Sequence, residues 1–434
     1  MDDKSKLSRR SFLKLAGGVL VLAGGGIWVS RTDLFHRTAR GIDRLANPQK
    51  IEAEYIRQII TQDAAQSRTI MWQSERVQSA AAVEVRLKDA AGEAQRAVAT
   101  NEDFADDGRA VVLHTAEISG LEPGKSYEYR LTNGEESSEW LPLAAPGGGG
   151  FKALIFPDSQ SNDYAGWKDL AQDAWKRNPE AAFFVNMGDL VDNGEDHTQW
   201  DAWLDAVGGM IEKIPFAPVM GNHETYDRNW KVRLPEAYLQ EFAVPDNGSE
   251  KFPRYYYSFD YGPCHFTVLN TQQDETADFK DGLMEEQLEW LREDMEKSRK
   301  KWKIALLHKD VLQYRIHNRP ERKEGISDIG EIFMPLFDEL GVDLVFTAHL
   351  HTYRNRGHIK SFRASETGPV YILTGVAGNV RYPNLWVDHA LDKKVAPQPE
   401  TDNYLVLEAG KKALVIDCFL PDGSLIDHMR IENK

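Results

Sequence analysis

Five short stretches of this chain share one design: an apolar, β-branched or aromatic run that ends in side chains able to hold metals. Residues 154–158 end at Asp158 within PDSQ, and 183–189 run into GDLVDNG, which carries Asp189 and Asp192. Residues 214–220 lead directly into GNHE, with Asn222 and His223. Residues 304–308 end at His308, and 344–351 end in AHLH, with His349 and His351. In an open α/β sheet, loops at the C-terminal strand ends converge on a crevice where ligands bind. Carboxylates there supply charge and imidazoles suit borderline metals, so the set points to a two-metal site.

The elements that must position these residues alternate between strand and helix. Helical patterns cover 196–211, 284–301 and 329–340, with Trp200 and Trp203 expected in the core. Further strands are expected at 255–259, 264–270 and 369–377. This alternation gives an α/β (α+β) class.

The order and spacing of GD-x-x-x-x-G, GNHE, a lone strand-end His and x-H-x-H resemble the signature of calcineurin-like metallophosphoesterases. Tyr353 after AHLHT, together with a domain ahead of the first motif, makes the chain look most like the purple acid phosphatase branch. The resemblance implies a four-layer α/β/β/α sandwich. It implies that Asp189 bridges two metal ions, with Asp158 and His351 on the first and Asn222, His308 and His349 on the second. Phosphate ester hydrolysis is slowed by charge repulsion and by the weak nucleophilicity of water. Two cations about 3.5–4 Å apart address both. Because His349 and His351 alternate along the chain, a sharp loop must turn both toward the site.

His223 directly follows the Asn ligand, so it is expected to protonate or hydrogen-bond the phosphate and leaving group. In phosphoprotein-phosphatase relatives the second Asp of GD-x-V-D pairs with this His. Asp192 is therefore expected to raise its pKa and fix its tautomer, unless it is a turn or helix-capping carboxylate. His317 stands nine residues after His308, where purple acid phosphatases carry a substrate-facing His. The alternative is a solvated His beside Arg315 and Arg319.

Two departures bear on the metals. Purple acid phosphatases have a Tyr three residues after the bridging Asp, where this chain has Asp192. Other branches have Asp-x-His in the first motif, where this chain has Asp158-Ser159-Gln160. The first metal thus lacks either usual third ligand, and the Gln160 amide oxygen or a water fills the gap. That disfavours tightly held ferric iron, leaves Fe, Mn and Zn as candidates, and predicts a colourless protein.

The remaining sequence frames this centre. Residues 1–30 contain SRRSFLK, with Arg9 and Arg10 ahead of an apolar run, and resemble a twin-arginine export signal. The run reaches Trp28 with no clear cleavage site, so it is either cleaved or kept as a membrane anchor. Residues 31–50 read as a linker. Short alternating runs at 69–73, 83–87, 111–118 and 127–132 predict a β-sandwich over 51–146. It resembles the fibronectin type III-like domain of purple acid phosphatases, and His114 is read as a sheet residue. Pro146 and the 147–150 glycine run predict a hinge. The metallophosphoesterase domain is placed at 151–385, and strands within 386–434 are expected to complete its second sheet. The 380–398 excursion is either a plain loop or a cover for the site's mouth. Cys264 and Cys418 read as core thiols, with a disulfide as the alternative in an exported chain. His197, His265, His358, His389 and His428 lie outside any ligand spacing.

The formal net charge of −16 over 434 residues argues against a nucleic-acid partner, which requires a basic footprint. The sequence therefore predicts an exported, two-metal hydrolase of small phosphate monoesters, periplasmic or at the cell surface, with the export machinery as its other partner. Diesters or nucleotides are the alternative substrates. The missing third ligand motivates a rival reading, an inactive cell-surface binding module.

Overall fold

The computed structural model describes residues 51–89, 92–397 and 401–432. The signal, linker and anchor expectations over 1–50 lie outside the described residues. Eight strands come first: β1 (Glu54–Ile59), β2 (Ser67–Ser74), β3 (Ala82–Leu87), β4 (Gln95–Val98), β5 (Thr100–Asp106), β6 (Arg109–Ser119), β7 (Ser126–Thr132) and β8 (Leu141–Ala144). They form two layers, β1-β2-β6-β5 and β4-β3-β7-β8, closed over Trp72, Val83, Ile118 and Tyr129. His114 is buried in β6 and bonded to Ser74 and Asn101, as a sheet residue should be.

The next segment alternates as expected: β9 (Phe151–Phe156), α1 (Ala165–Arg177), β10 (Ala181–Asn186), α2 (His197–Val207) and β11 (Phe216–Pro218). Then come α3 (Glu236–Glu241), β12 (Tyr257–Tyr261), β13 (Cys264–Leu269), α4 (Gln273–Thr276), α5 (Leu283–Lys297), β14 (Trp302–Leu307), β15 (Leu312–Gln313), β16 (Gly325–Ile326) and α6 (Asp328–Leu340). The chain ends with β17 (Leu344–Thr347), β18 (Tyr353–Lys360), β19 (Arg363–Ala364), β20 (Val370–Thr374), β21 (Lys394–Val395), β22 (Tyr404–Ala409), β23 (Ala413–Phe419) and β24 (Leu425–Glu432).

Period-two alternation along β10 explains the layering. Phe183 packs on Phe259, Tyr261 and Phe266 of the second sheet, whereas Phe184 faces the other way and stacks with Phe216. On that outer face Trp167 of α1 and Trp203 of α2 close over Phe156 and Phe216. Both Trp200 and Trp203 are buried, as expected. The second sheet runs β12-β13-β14-β17-β20-β18-β19. Helix α5 buries Leu291 and Met295 and α6 buries Phe333 and Phe337; Ser327 caps α6 by accepting the Gly330 N–H.

Two expectations are corrected. Strands β22–β24 do not complete the second sheet: β22 pairs antiparallel with β9, so they extend the first. Residues 147–150 do not act as a hinge between separate domains. Strand β1 pairs in parallel with β11, and one ten-stranded sheet runs β24-β23-β22-β9-β10-β11-β1-β2-β6-β5 through both. The backbone bonds from Gln58 N–H to Ile211 O and from Ile60 N–H to Phe216 O fasten this seam. Cys264 and Cys418 are free and buried. No helix among the described residues is long and apolar enough to cross a membrane.

Candidate metal centre

Each predicted ligand follows the C-terminal end of a strand. Asp158 follows β9, Asp189 follows β10 and Asn222 follows β11, all in the first sheet; His308 follows β14, and His349 and His351 follow β17 in the second. The centre therefore straddles the line where the two sheets meet. Bringing the side chains inward costs backbone strain. Asp189, His349 and His351 have φ of 50°, 77° and 53°, a left-handed geometry that costs non-glycine residues about 1–3 kcal/mol each. Two left-handed residues around Leu350 form the sharp loop that the x-H-x-H spacing requires.

Two groups of ligand atoms each lie within 4.8 Å: Asp158, Asp189 and His351, and Asp189, His308 and His349. Asp189 belongs to both, the position of a bridging ligand. His351 Nε2 is 3.2 Å from Asp158 Oδ2, its Nδ1 donating to the Val380 carbonyl at 2.8 Å. Around His308 the donor chemistry is decisive. Its Nδ1 lies 2.9 Å from the Met187 carbonyl, which can only accept, so Nδ1 carries the proton. Its Nε2 faces Asp189 Oδ2 at 3.1 Å, Asn222 Oδ1 at 3.2 Å and His349 Nδ1 at 3.2 Å. One imidazole nitrogen cannot donate to three acceptors, and four lone-pair atoms converging on one point suit a cation. Gln160, two residues after Asp158, is buried with its backbone N–H on Asp189 O, and its Oε1 has no hydrogen-bond partner among the described residues. An orphaned amide oxygen there fits the ligand role expected for Gln160. The residues present thus fit two metal ions.

The packed carboxylates and imidazoles perturb one another strongly. Burial would raise Asp189, but His308 and His223 hold it well below the usual carboxylate range. Burial lowers His308, yet Asp189 pushes it up to about 9, and burial together with His308 drives His349 down.

His223 sits in a short 3₁₀ turn, His223–Thr225, with Nε2 3.9 Å from Asp189 Oδ2. Its Nδ1 donates to the main-chain carbonyl of Asp192 at 2.7 Å, while the Asp192 carboxylate stands 3.6 Å away. The expected Asp–His pairing is therefore corrected in its atom: the peptide oxygen fixes the tautomer and the carboxylate acts through charge. Burial lowers the His223 pKa, but Asp189 and Asp192 outweigh it and raise it overall. His317 is exposed after β15, and its backbone N–H bonds to Leu385 O. No hydrogen bond or ion pair links its side chain to the ligand cluster among the described residues.

Glu224, the last residue of GNHE, plays a structural part that its residue type does not announce. Its buried carboxylate accepts the N–H groups of Asp189 at 3.0 Å, Leu190 at 2.8 Å and Gly221 at 2.6 Å, binding two motif loops together. Burial, reinforced by Asp189, pushes it up to about 7. Gly221 must be glycine, since a Cβ there would collide with the Asp189 carboxylate. The 380–398 excursion does reach the centre: Val380 accepts from His351, and the Tyr382 ring lies 4.8 Å from the His351 ring. Tyr226 and Trp230 each stand edge-on to His223, at 5.6 and 5.7 Å. Their signal was only aromatic residues shortly after GNHE.

The five histidines outside any ligand spacing serve structure. His197 pairs with Asp107, His265 bridges Asp260 and Asp294, His358 and His389 bond to main-chain carbonyls, and His428 pairs with Asp417.

Comparison with known proteins places this geometry. The calcineurin-like phosphoesterase pattern matches residues 121–353, more than half of the chain, and the purple acid phosphatase N-terminal domain pattern matches 53–143. Purple acid phosphatase 15 of Arabidopsis thaliana is 31% identical over 47% of this chain and 36% of its own length. Purple acid phosphatase 23 of the same plant is 30% identical over 62% of this chain and 63% of its own. The chain thus spans less than two thirds of either relative. Mouse (Mus musculus) acid phosphatase type 7 is 27% identical over 67% of this chain and 72% of its own length. Among solved structures, purple acid phosphatase PPD1 from yellow lupin (Lupinus luteus) seeds superposes with a TM-score of 0.73 at 17% identity, covering 88% of this chain and 74% of that one. PhoD gives 0.61 at 12% identity, covering 87% and 90%. Both likenesses concern the fold. With the ligand set, the pattern match and the fold in agreement, the chain belongs to the calcineurin-like phosphoesterase family.

Proposed function

We propose that this protein is an exported hydrolase of small phosphate monoesters that works with two metal ions drawn from Fe, Mn and Zn. The observation that carries the reading is the convergence of Asp189, Asn222 and His349 on His308 Nε2, with Asp189 shared by a second cluster. A metal pair held there supplies charge neutralisation and activation of water. The chain's own residues do the rest. Asp158, through the His349 N–H at 3.0 Å, and Glu224, through three N–H groups, hold the ligand loops in place. His223, its Nδ1–H held by the Asp192 carbonyl, turns Nε2 toward the Asp189 carboxylate, and as imidazolium it is set to give its Nε2 proton to the leaving oxygen. The acidic surface favours small esters over polymers, and SRRSFLK at 8–14 supports export.

Metal analysis paired with turnover of p-nitrophenyl phosphate and bis(p-nitrophenyl) phosphate tests this. Two equivalents of metal, a preference for the monoester and a loss of about 10²–10⁴ in rate for His223→Ala are expected. A preference for the bis-ester would make it a phosphodiesterase. Fewer than two metals and no turnover after adding Mn, Fe or Zn would leave the binding-module reading.

A further inference from the structure

Beside His223 the protein presents an aromatic surface that the proposed chemistry does not use. Trp230 is 52% exposed, the largest side chain among the exposed hydrophobic residues described. Its ring meets the His223 ring edge-on, with centroids 5.7 Å apart and planes at 89°. Tyr226, only 4% exposed, touches the same imidazole at 5.6 Å and the Trp230 ring at 6.1 Å. The three rings run from the metal cluster out to solvent.

The loop that carries Trp230 is braced. Trp230 has φ of 61°, strained for a bulky residue, and its N–H donates to Asp227 O at 2.9 Å. Asp227 Oδ1 accepts the N–H groups of Asn229 and Lys231 at 2.8 and 2.7 Å. From outside, the tip of the β5–β6 hairpin grips the loop: Asp107 pairs with Arg228 at 2.7 Å and Asp106 with Arg233 at 2.9 Å. The N-terminal domain thus holds an exposed indole in place beside the proton donor.

Its position assigns it a ligand. In the proposed reaction His223 would face the oxygen that leaves with the alcohol, so the first atoms of that alcohol would lie beside His223. Trp230 is one ring away. Resting on the phosphoesterase reading, we propose that Trp230, with Tyr226 packed behind it, forms a leaving-group subsite for phosphate esters that carry a planar aromatic group. An aryl ester and a nucleotide both present such a group. An indole face stacks on it regardless of its hydrogen-bonding pattern.

The test compares kcat/KM of the metal-loaded full chain for phenyl phosphate and adenosine 5′-monophosphate, each divided by its value for glycerol 2-phosphate. Calorimetric titration with phenylphosphonate and methylphosphonate, which are not hydrolysed, reads the same preference without turnover. Trp230→Ala should lower the aromatic-to-alkyl ratio about 10-fold in both measurements, and Trp230→Phe should retain most of it. A fall for phenyl phosphate alone assigns aryl esters, and a fall that includes adenosine 5′-monophosphate assigns nucleotides. An unchanged ratio for both in Trp230→Ala overturns the subsite while leaving the phosphoesterase reading intact. If wild type turns over none of the three esters and binds neither phosphonate, both fall.

Discussion

The Asp192 main-chain carbonyl, and not its carboxylate, takes the His223 Nδ1 proton, at 2.7 Å against 3.6 Å. Asp192→Asn should therefore keep His223 oriented and lose less than about 10-fold in kcat, far less than His223→Ala. The carboxylate's charge would go, however. Burial alone lowers His223 and the two aspartates raise it, so a protonated His223 persists to higher pH than an ordinary imidazole. Without Asp192 the alkaline limb of the pH–rate profile should move to lower pH. An unmoved limb, or a collapse as deep as that of His223→Ala, would contradict this division of labour.

Glu224 should behave as a structural clamp. In Glu224→Gln an amide N–H₂ would face backbone N–H groups that now donate to a carboxylate. An unsatisfied buried donor costs about 1–3 kcal/mol. A lower melting temperature and less bound metal per chain are expected, because the same contact holds Asp189 in its left-handed conformation. Wild-type values for both would remove Glu224 from this role.

Far from the centre, His265 is held between Asp260 and Asp294, each at 2.9 Å, with Lys300 3.6 Å from Asp260 and Thr267 donating to Asp294. Burial lowers its pKa, but the two carboxylates raise it to about 9. A histidine raised in the fold stabilises fully below its unfolded value of about 6.5, and that contribution is lost as pH rises through the folded value. Urea unfolding should show wild type losing up to about 3 kcal/mol between pH 6 and pH 10. His265→Gln should lack this dependence; equal slopes for the two proteins would refute it.

Colour offers a further check. Asp192 occupies the place of the tyrosine that gives purple acid phosphatases their colour, so iron-loaded protein should show no visible charge-transfer band. If one appears, Tyr382 beside His351 and Tyr226 beside His223 are phenols close to the centre. Tyr382→Phe and Tyr226→Phe would then identify the source, and the colourless expectation would have failed.

The clustering of Asp158, Asp189, His308, His349 and His351 was legible in the sequence because side chains that suit metals stand at strand ends, and strand ends show as apolar runs. The four-layer core was legible for a related reason: Phe183 and Phe184 face opposite layers by simple alternation. Atom-level partners were not. Nothing in GDLVD says whether a carbonyl or a carboxylate reaches His223, because that depends on how Gln199 and Tyr164 hold the Asp192 N–H. Glu224 was hidden because its partners are backbone groups, which leave no mark in residue types. The destination of β22–β24 was equally hidden, since either sheet offers an edge to apolar strands. Tyr382 and Trp230 come from segments without periodicity, and only the folded loops bring them to the cleft.

The pairing of β1 with β11 also bears on how the gene can be divided. Strand β11 is three residues long, and β1 covers the side of it that faces away from β10. A fragment cut at the glycine run would lose the β1 bonds to Phe216 and Ile211 and uncover the β11 edge, where another chain could add. The N-terminal domain in this sense covers the β11 edge as well as bracing the Trp230 loop.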